Sequence, residues 1–384
     1  MRIAHVTDGY LPRMGGIERQ VQGLTRSQLA AGHQVEVITS VAPGELRSAV
    51  PVLGPPRTVG QPGTIQYQAS WRGRQTVLAG NYDLVHLHVS TFSPLSYVTA
   101  LSAHQVGIPI VVTVHSMWSW ATPIFRCFDL ALDWKTWPIT WTAVSETAAQ
   151  SVAKVLRTAG PVPVLPNGVQ PELWRTTTRL ARRPDRVVLV SVMRLAGRKR
   201  PMQLLAMLRA ARAQLPPELR LEAKIIGSGP KQAAMTSYLR KHRMDWVELT
   251  GQLDQPAIRE VFADADLYLS PAKLESFGIA ALEARCAGLP VIAFAGTGVS
   301  DFIRDGRNGL LVADDAGMVD AICALTSSES RRAALSAHQD GIEAFGWDNV
   351  LRSCARAYAT AFAQHGRPMP SFLPAGALVD LPAR

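Results

Sequence analysis

Short runs of β-branched and other apolar residues alternate with amphipathic helical stretches along almost the whole chain. The first repeat reads RIAHVTD, a turn-rich loop LPRMGG, a helical stretch IERQVQGLTRSQLAAG, and a second apolar run QVEVIT. Within that stretch, apolar residues recur at helical spacing and form a stripe: Ile17, Val21, Leu24 and Leu29. Strand, helix and strand in this order predict a βαβ unit with parallel strands. Repetition of the unit predicts an α/β fold with doubly wound parallel sheets.

One segment, residues 160–185, interrupts this alternation with five prolines and a cluster of arginines. The length of 384 residues also suits two domains. After Trp347 a helical stripe returns, which we interpret as a helix that crosses back to the first domain. The predicted organisation is an N-terminal domain at 1–170, a linker at 171–185, a C-terminal domain at 186–346, a crossing helix at about 347–363 and a loose tail at 364–384.

Composition and charge exclude several classes of protein. Apolar residues make up 47% of the chain and charged residues 18%, which argues against disorder and against a fibrous protein. The longest apolar stretch, VGIPIVVTV, is too short to span a bilayer. The N-terminus lacks the apolar core of a signal peptide, so we expect a cytoplasmic protein, with peripheral membrane contact left open. The net charge of +10 is shared by both halves, and we expect no nucleic-acid partner.

Two features near strand ends suit a phosphorylated ligand, and a carboxylate in a helix suits a ribose or sugar diol. Gly15 and Gly16 precede a helix, where free backbone N–H groups and the helix dipole favour anions. Arg194 and Lys199 share one loop after a strand and could clamp a diphosphate. Glu283 lies within an apolar helix, where a carboxylate needs a cation or hydroxyl partner. A glycine turn, a solvated loop and a surface helix are the respective structural alternatives.

Two other sequence patterns, one typical of dinucleotide binding and one of metal binding, do not have the spacing or the position that these ligands require. Neither TDGYLPRMGG nor GSGPKQ has the G-x-G-x-x-G spacing of a dinucleotide-binding oxidoreductase. Asp264 and Asp266 form a D-x-D sequence like that of some metal-dependent sugar transferases. However, they lie where a helix ends and a strand begins, which favours a turn and cap. We therefore expect no metal site there.

Several blocks in a fixed order resemble the family 4 retaining glycosyltransferases of the GT-B fold over about residues 1–363. The blocks are the Gly15-Gly16 loop, His115 after VVTV, WTAVSE, LPNGV, the Arg194 and Lys199 pair, IIGSGP, the E-x7-E from Glu275 to Glu283, AGLPVIAFAG and DGRNGLLV. Within the family, VHLHVSTFSP and VTVHSMW are similar to the group that contains the catalytic subunit of the enzyme adding N-acetylglucosamine to phosphatidylinositol. The resemblance implies two doubly wound Rossmann-like domains that face a central cleft.

The resemblance also implies roles for individual residues. Gly15 and Gly16 would donate backbone N–H groups to the donor phosphates, and Arg194 and Lys199 would neutralise the diphosphate. His115 would lie beside the transferred sugar.

The remaining implied contacts lie around the donor sugar, the ribose and the base. Glu275 would bind hydroxyls of the donor sugar, and Glu283 would bind those of the ribose. Backbone groups would complete the site, beside the sugar at Ser276, Phe277 and Gly278 and beside the base at Gly227, Gly229, Pro230 and Gly251.

The implied reaction moves a hexose or N-acetylhexosamine from a nucleotide-diphosphate sugar, with UDP-sugars favoured, to an acceptor hydroxyl with retention. Because protein cations would stabilise the leaving diphosphate, we expect no metal and no other cofactor. Two alternatives remain open: a nucleotide-sugar epimerase or hydrolase that uses no acceptor, and a sugar-binding module without turnover.

The acceptor itself is left open by the sequence. Five of the nine tryptophans fall between residues 118 and 141. Such aromatic side chains suit a small-molecule, glycan or lipid-linked acceptor, a membrane surface, or simply a core.

Overall fold

The computed structural model describes residues 1–11, 15–41, 51–53, 73–119, 122–123, 125, 133–158, 160–175 and 186–371. The chain divides into two compact units. The first comprises Met1–Gly168 and Trp347–Arg384, and the second comprises Val169–Gly346.

The first unit is built on a six-stranded parallel sheet with the strand order β3-β2-β1-β4-β5-β6. Its strands are β1 (Arg2–Thr7), β2 (Gln34–Thr39), β3 (Val52–Leu53), β4 (Leu84–Val89), β5 (Ile110–Val114) and β6 (Ile139–Ala143). Its described helices are α1 (Gly16–Ala30), α2 (73–79), α3 (Pro94–Gln105), α4 (Glu146–Leu156) and the last of the described helices, α12 (Trp347–Gln364). Because helices cover the parallel strands, the strands can be almost wholly apolar.

Helix α12 completes the core of the first unit. Its buried face is formed by Val350, Leu351, Cys354, Ala357, Tyr358, Ala361 and Phe362. These side chains pack in one cluster with Leu24 of α1 and with Ile3 of β1. At the start of α12 the Trp347 ring packs so closely against Gly23 and Gly168 that a Cβ atom at either position would lie 2.1 or 2.6 Å from it.

The second unit repeats the architecture with the strand order β12-β11-β10-β7-β8-β9. Its strands are β7 (Arg186–Val192), β8 (Arg220–Ile226), β9 (Val247–Gly251), β10 (Leu267–Ser270), β11 (Val291–Phe294) and β12 (Gly309–Val312). Its helices are α5 (Pro171–Trp174), α6 (Pro201–Gln214), α7 (Gln232–Lys241), α8 (Gln255–Asp264), α9 (Ile279–Cys286), α10 (Asp315–Thr326) and α11 (Glu329–Ala337). All of its strand pairs are parallel. The predicted pair of doubly wound α/β sheets is thus confirmed.

In each sheet, successive strands are added first on one side of the unit's first strand and then on its other side, so the strand order reverses beside that strand. β1 lies between β2 and β4, and β7 lies between β8 and β10. In doubly wound sheets, ligands bind outside the carboxyl ends of the strands at such a reversal. The loops after β1 and β4, and those after β7 and β10, are therefore where a site is expected.

One segment has a different structure from the predicted one, and part of another, which the sequence left open, lies in the core. The predicted linker at 171–185 begins with helix α5, whose Trp174 is buried and lies 5.7 Å from the Phe262 ring, so these residues belong to the second unit; 176–185 lie outside the described residues. Among the aromatic residues of 118–141, Trp118, Phe125 and Trp134 stack on one another in the core. Trp120 and Phe128 lie outside the described residues. None of the helices in the described part of the chain has the length and hydrophobicity needed to cross a bilayer.

Candidate active site

The two loops at the reversal point of the second sheet are joined by an ion pair. Lys199 follows β7 and Glu275 follows β10, and the Lys199 Nζ atom lies 2.5 Å from Glu275 Oε2. The Lys199 side chain is 27% exposed and the Glu275 side chain 14% exposed. The fold therefore brings a cation and a carboxylate, separated by 76 residues of sequence, to the edge where a ligand is expected.

Arg194 belongs to the same loop as Lys199. Its side chain is exposed and makes no hydrogen bond or ion pair with any residue that the structure describes. The loop itself is held in place, because the backbone N–H of Leu195 donates to the Ser228 carbonyl at 2.9 Å. The Arg194 guanidinium is thus carried by a fixed backbone. It could bind an anion without first breaking a salt bridge to a described residue.

The predicted glycines 227, 229 and 251 lie where neighbouring loops touch. A Cβ atom on Gly227 would lie 1.9 Å from the Met193 carbonyl oxygen, and one on Gly229 would lie 2.6 Å from that of Leu195. Both glycines also have a positive φ, as does Gly251, whose carbonyl accepts a 2.7 Å hydrogen bond from the Gly227 N–H. Only glycine allows the loops after β7 and β8 to approach so closely. Pro230 follows in the same loop.

The segment from Glu275 to Glu283 forms a turn and then helix α9. Gly278, with φ of 91°, is the residue that caps the helix start. Ser276 lies in the turn, where its carbonyl oxygen is so close to Gly298 that a Cβ atom there would be 2.1 Å away. Phe277 anchors the turn, since its buried ring packs against those of Phe302 and Phe345. Glu283 follows on the helix and is 5% exposed.

A second charged network supports these loops and was missed by the sequence analysis. Arg200 caps helix α6, and its guanidinium lies 2.6 Å from Asp315 at the start of α10 and 5.2 Å from the Phe294 ring centre. Lys273 binds the same carboxylate at 3.1 Å. These cations lower the pKa of Asp315, Arg200 having the larger effect. Only the basic character of GRKRP gave a signal in the sequence.

The D-x-D acids have structural partners. Asp264 ends helix α8 and accepts hydrogen bonds of 2.8 and 2.9 Å from the Arg186 guanidinium, which lowers its pKa. Asp266 accepts from the backbone N–H of Val188 at 2.9 Å, at the start of the β7–β10 pairing. Both carboxylates thus bind residues of β7 and stabilise the sheet.

In the first unit, Gly15 and Gly16 begin helix α1, as predicted for an anion-binding turn. Gly15 is the capping residue in extended conformation, and Gly16 is the first helical residue. The Glu18 carboxylate lies against Gly15, where a Cβ atom would be 2.3 Å from Glu18 Oε2. An acidic group in the first turn is favourable for the helix. A phosphate bound to these N–H groups would have to share the helix start with Glu18.

Asp8, at the carboxyl end of β1, serves the neighbouring helix. Its Oδ1 accepts a 2.9 Å hydrogen bond from the Leu95 backbone N–H, and its Oδ2 accepts one of 3.1 Å from the Ser96 hydroxyl. Burial raises the pKa of Asp8, and these hydrogen bonds offset part of the rise. The carboxylate thus links the two loops at the reversal point of the first sheet.

His115 directly follows β5. Its backbone N–H donates to the Val89 carbonyl at 2.8 Å, and its Nε2 atom lies 3.1 Å from Nδ1 of His88 on β4. His88 in turn contacts His5 of β1, and His86 lies beside both rings. Burial lowers the pKa of His5 and His115 to about 4 and that of His86 and His88 well below 6.5. All four imidazoles are therefore neutral near pH 7.

Two family models match the chain in succession along its length. "Glycosyltransferase Family 4" matches residues 14–173, and "Glycosyl transferases group 1" matches residues 175–339. The chain belongs to the family 4 glycosyltransferases. This assignment confirms the predicted family and enzyme class.

Relatives of this glycosyltransferase align along most of the chain. A D-inositol 3-phosphate glycosyltransferase of Arthrobacter sp. (strain FB24) is 28% identical over 399 residues, with 91% of each chain covered. A phosphatidylinositol N-acetylglucosaminyltransferase subunit of Arabidopsis thaliana is 26% identical over 344 residues, covering 84% of this chain and 73% of the relative. Anabaena HepE, solved in complex with UDP-glucose, superposes with a TM-score of 0.71 at 17% identity, covering 94% of this chain and 100% of HepE. The fold is the predicted GT-B type.

We expect the buried imidazoles to make the stability of this glycosyltransferase sensitive to acid. In the unfolded chain each histidine takes up a proton near pH 6.5, whereas in the folded protein burial lowers the pKa of His5 and His115 to about 4 and that of His86 and His88 well below 6.5. Because the unfolded state binds more protons in this window, the free energy of unfolding should fall by up to about 1.4 kcal/mol per pH unit for each buried histidine. We expect melting temperatures to be constant above pH 7 and to fall steadily from pH 6.5 towards 4. A variant of the exposed His338, His338→Gln, should keep this slope, and a flat profile in the wild type would contradict the expectation.

Proposed function

We propose that this glycosyltransferase moves a hexose or N-acetylhexosamine from a nucleotide-diphosphate sugar, with UDP-sugars preferred, to a hydroxyl of an inositol-bearing acceptor, with retention and without a metal ion. The observation that carries the proposal is the Lys199–Glu275 pair at the reversal point of the second sheet. This pair joins a cation that would bind the diphosphate to a carboxylate that would bind the sugar hydroxyls.

The donor side of the proposal follows from the chemistry of the leaving group. As the bond between C1 and the diphosphate oxygen breaks, negative charge accumulates on the diphosphate. Arg194 and Lys199 are the cations of the loop that would neutralise it, and preorganised charges of this kind give large rate gains. Glu283 would bind the ribose, and the glycine-lined loops after β8 and β9 would admit the base. The likeness to HepE, which binds UDP-glucose, supports a uridine donor.

Retention would follow from attack on the same face of the sugar. The acceptor oxygen forms its bond to C1 while the diphosphate leaves, and the hydroxyl proton passes to the departing phosphate oxygen. This step needs no protein nucleophile. Glu275 would orient the sugar and remain unmodified, and the neutral His115 would hydrogen-bond the transferred sugar.

The acceptor proposal rests on what the two relatives are named for. One acts on D-inositol 3-phosphate and the other on phosphatidylinositol, so an inositol ring that bears a phosphate is common to both. We propose that this enzyme works in the cytosol and reaches a membrane surface if the inositol is lipid-borne.

A matrix of donors and acceptors tests the proposal. UDP-glucose, UDP-N-acetylglucosamine, GDP-mannose and ADP-glucose are each combined with myo-inositol, inositol 3-phosphate and phosphatidylinositol vesicles, and the anomeric configuration of any product is determined by NMR. We expect α-linked product from a UDP-sugar and a phosphorylated inositol. Stoichiometric loss of donor without an acceptor would instead show a hydrolase or epimerase.

We expect turnover to survive complete removal of divalent metal. The reason is that Arg194 and Lys199 would neutralise the diphosphate, while both D-x-D carboxylates bind residues of the sheet. The measurement is the initial rate after extensive dialysis against EDTA, with and without added Mn²⁺. An EDTA-inactivated enzyme that Mn²⁺ restores would contradict a metal-free mechanism.

A further inference from the structure

A continuous chain of side-chain hydrogen bonds runs through the interior of the first unit and ends at His115. From His115 it passes through His88, His5, Gln28, Tyr358, His86, Thr113 and Thr142 and stops at the carbonyl oxygen of Val112. The successive donor–acceptor distances are 3.1, 2.9, 2.6, 2.9, 2.8, 2.7, 2.8 and 3.1 Å. Apart from His115, every residue whose side chain takes part in these hydrogen bonds is at most 3% exposed. Strands of the first sheet and two helices, α1 and α12, contribute to it.

The carbonyl oxygen of Val112, at the opposite end from His115, sets which group donates in each of the hydrogen bonds next to it. A carbonyl oxygen only accepts, so the single hydroxyl proton of Thr142 goes to Val112. Thr113 must then donate to Thr142, and its own oxygen accepts from His86 Nε2–H. Since His86 is neutral, its Nδ1 atom has no proton and accepts from the Tyr358 hydroxyl.

The same reasoning continues to the other end. Because Tyr358 donates to His86, it accepts from the Gln28 amide nitrogen, and the Gln28 oxygen then accepts from His5 Nε2–H. His5 Nδ1 accepts from His88 Nε2–H, and His88 Nδ1 accepts from His115 Nε2–H. Only one arrangement of protons satisfies every link. In it His115 carries its proton on Nε2 and its lone pair on Nδ1.

A metal ion is the competing explanation for so many histidines. Nitrogen atoms of His5, His86 and His88 lie within 4.8 Å of one another, close enough for one ion. However, both nitrogens of each of these three rings already lie between 2.6 and 3.1 Å from a hydrogen-bond partner. Metal binding would break several of these buried hydrogen bonds, and each broken bond would leave a polar group that is costly to bury.

We propose that Tyr358, Gln28, His5 and His88 are positioning residues that hold His115 as a neutral imidazole in the Nε2–H form. Through these residues, the Val112 carbonyl determines which ring nitrogen of His115 carries the proton and which one can accept a hydrogen bond. A sugar hydroxyl bound at His115 then donates to Nδ1. This last step rests on the proposed function, whereas the proton arrangement along the chain does not.

The test measures tautomers directly. In protein labelled with ¹⁵N-histidine, long-range ¹H–¹⁵N spectra near pH 7 distinguish protonated from unprotonated ring nitrogens. We expect single Nε2–H tautomers for His5, His86, His88 and His115, assigned by comparison with variants that lack one histidine each. An Nδ1–H tautomer or an imidazolium at any of these four positions would overturn the proposal.

Two variants interrupt the series of hydrogen bonds several links away from His115. Tyr358→Phe and Thr142→Val each remove one hydroxyl with little change of shape, and either change separates His5, His88 and His115 from the carbonyl that sets the direction. The links are then free to reverse, so we expect Nδ1–H signals to appear together at His5, His88 and His115. Tyr82→Phe is the matched control, because it removes a hydroxyl bonded to Glu36 in the same unit but outside the chain. Unchanged tautomers in both cutting variants would overturn the proposal.

Activity provides a separate measurement. If a sugar hydroxyl donates to His115 Nδ1, then Tyr358→Phe should lower kcat/KM about tenfold, as for the loss of one hydrogen bond. Tyr82→Phe should leave kcat/KM unchanged. Altered tautomers with unaltered kcat/KM would refute the use of His115 at the sugar while supporting the arrangement of the chain, so the two claims fail in different ways.

Discussion

Replacement of Lys199 with alanine is expected to lower kcat/KM at least about 100-fold, with the melting temperature nearly unchanged. A charge-assisted contact to the leaving diphosphate contributes about 3 kcal/mol to the transition state, which corresponds to this factor. The side chain is about one quarter exposed, so its loss leaves no large cavity. Steady-state kinetics with the preferred donor, together with a thermal melt, provide the measurement.

A matched control comes from the same loop. Arg198 is exposed, and Arg198→Ala removes an equal charge from the neighbouring position, so it should keep near-wild-type turnover. Near-wild-type turnover in Lys199→Ala would remove this lysine from the site.

The structure adds a second possible reason for a loss of activity in Lys199→Ala, because Lys199 also binds Glu275. A double-mutant cycle separates the two roles. If Lys199 acts only by holding Glu275, then Lys199→Ala should cause little further loss in a Glu275→Gln background. If it acts on the diphosphate, as we expect, most of the roughly 100-fold loss should remain in that background.

The positions of the donor loops could be anticipated from sequence because each lies directly after an apolar run. In parallel sheets all such loops emerge at one edge, which is consistent with the shared site that the family resemblance implied for Arg194, Lys199 and Glu275. The close contacts of Gly227 and Gly229 could not be derived in this way. They depend on how far the neighbouring loop extends, and the spacing of glycines does not encode that distance.

The histidine chain shows a different limit of sequence reasoning. His86 and His88 alternate in an apolar strand, which places them on one face, but their partners are distant in sequence. His5 is 83 residues from His88, and Gln28 is 330 residues from Tyr358. Their meeting depends on strand order and register. Local composition was also misleading at 171–174, where proline favours a linker but burial of Trp174 stabilises a helix.

Deletion of α12 should have the largest effect on folding of any change considered. Four large side chains on its buried face, Val350, Leu351, Tyr358 and Phe362, each contribute about 1.5–3 kcal/mol when buried. Their sum is comparable with the roughly 5–15 kcal/mol that stabilises a whole domain. A chain that ends at Gly346 should therefore fail to fold its first unit and should have no transferase activity.

A chain that ends at Ser371 is the control for this deletion. It keeps the whole helix, including the hydrogen bond from Thr140 to Gln364, and should retain the wild-type melting temperature and activity. A milder change keeps the prediction testable if the short chain is insoluble. Phe362→Ala should lower the free energy of unfolding by about 3–5 kcal/mol, measured by denaturant titration. A chain ending at Gly346 that melts cooperatively at the wild-type temperature would show that the first sheet is stable without α12. In that case the burial of Tyr358 would serve the hydrogen-bond chain to His115 and not the stability of the unit.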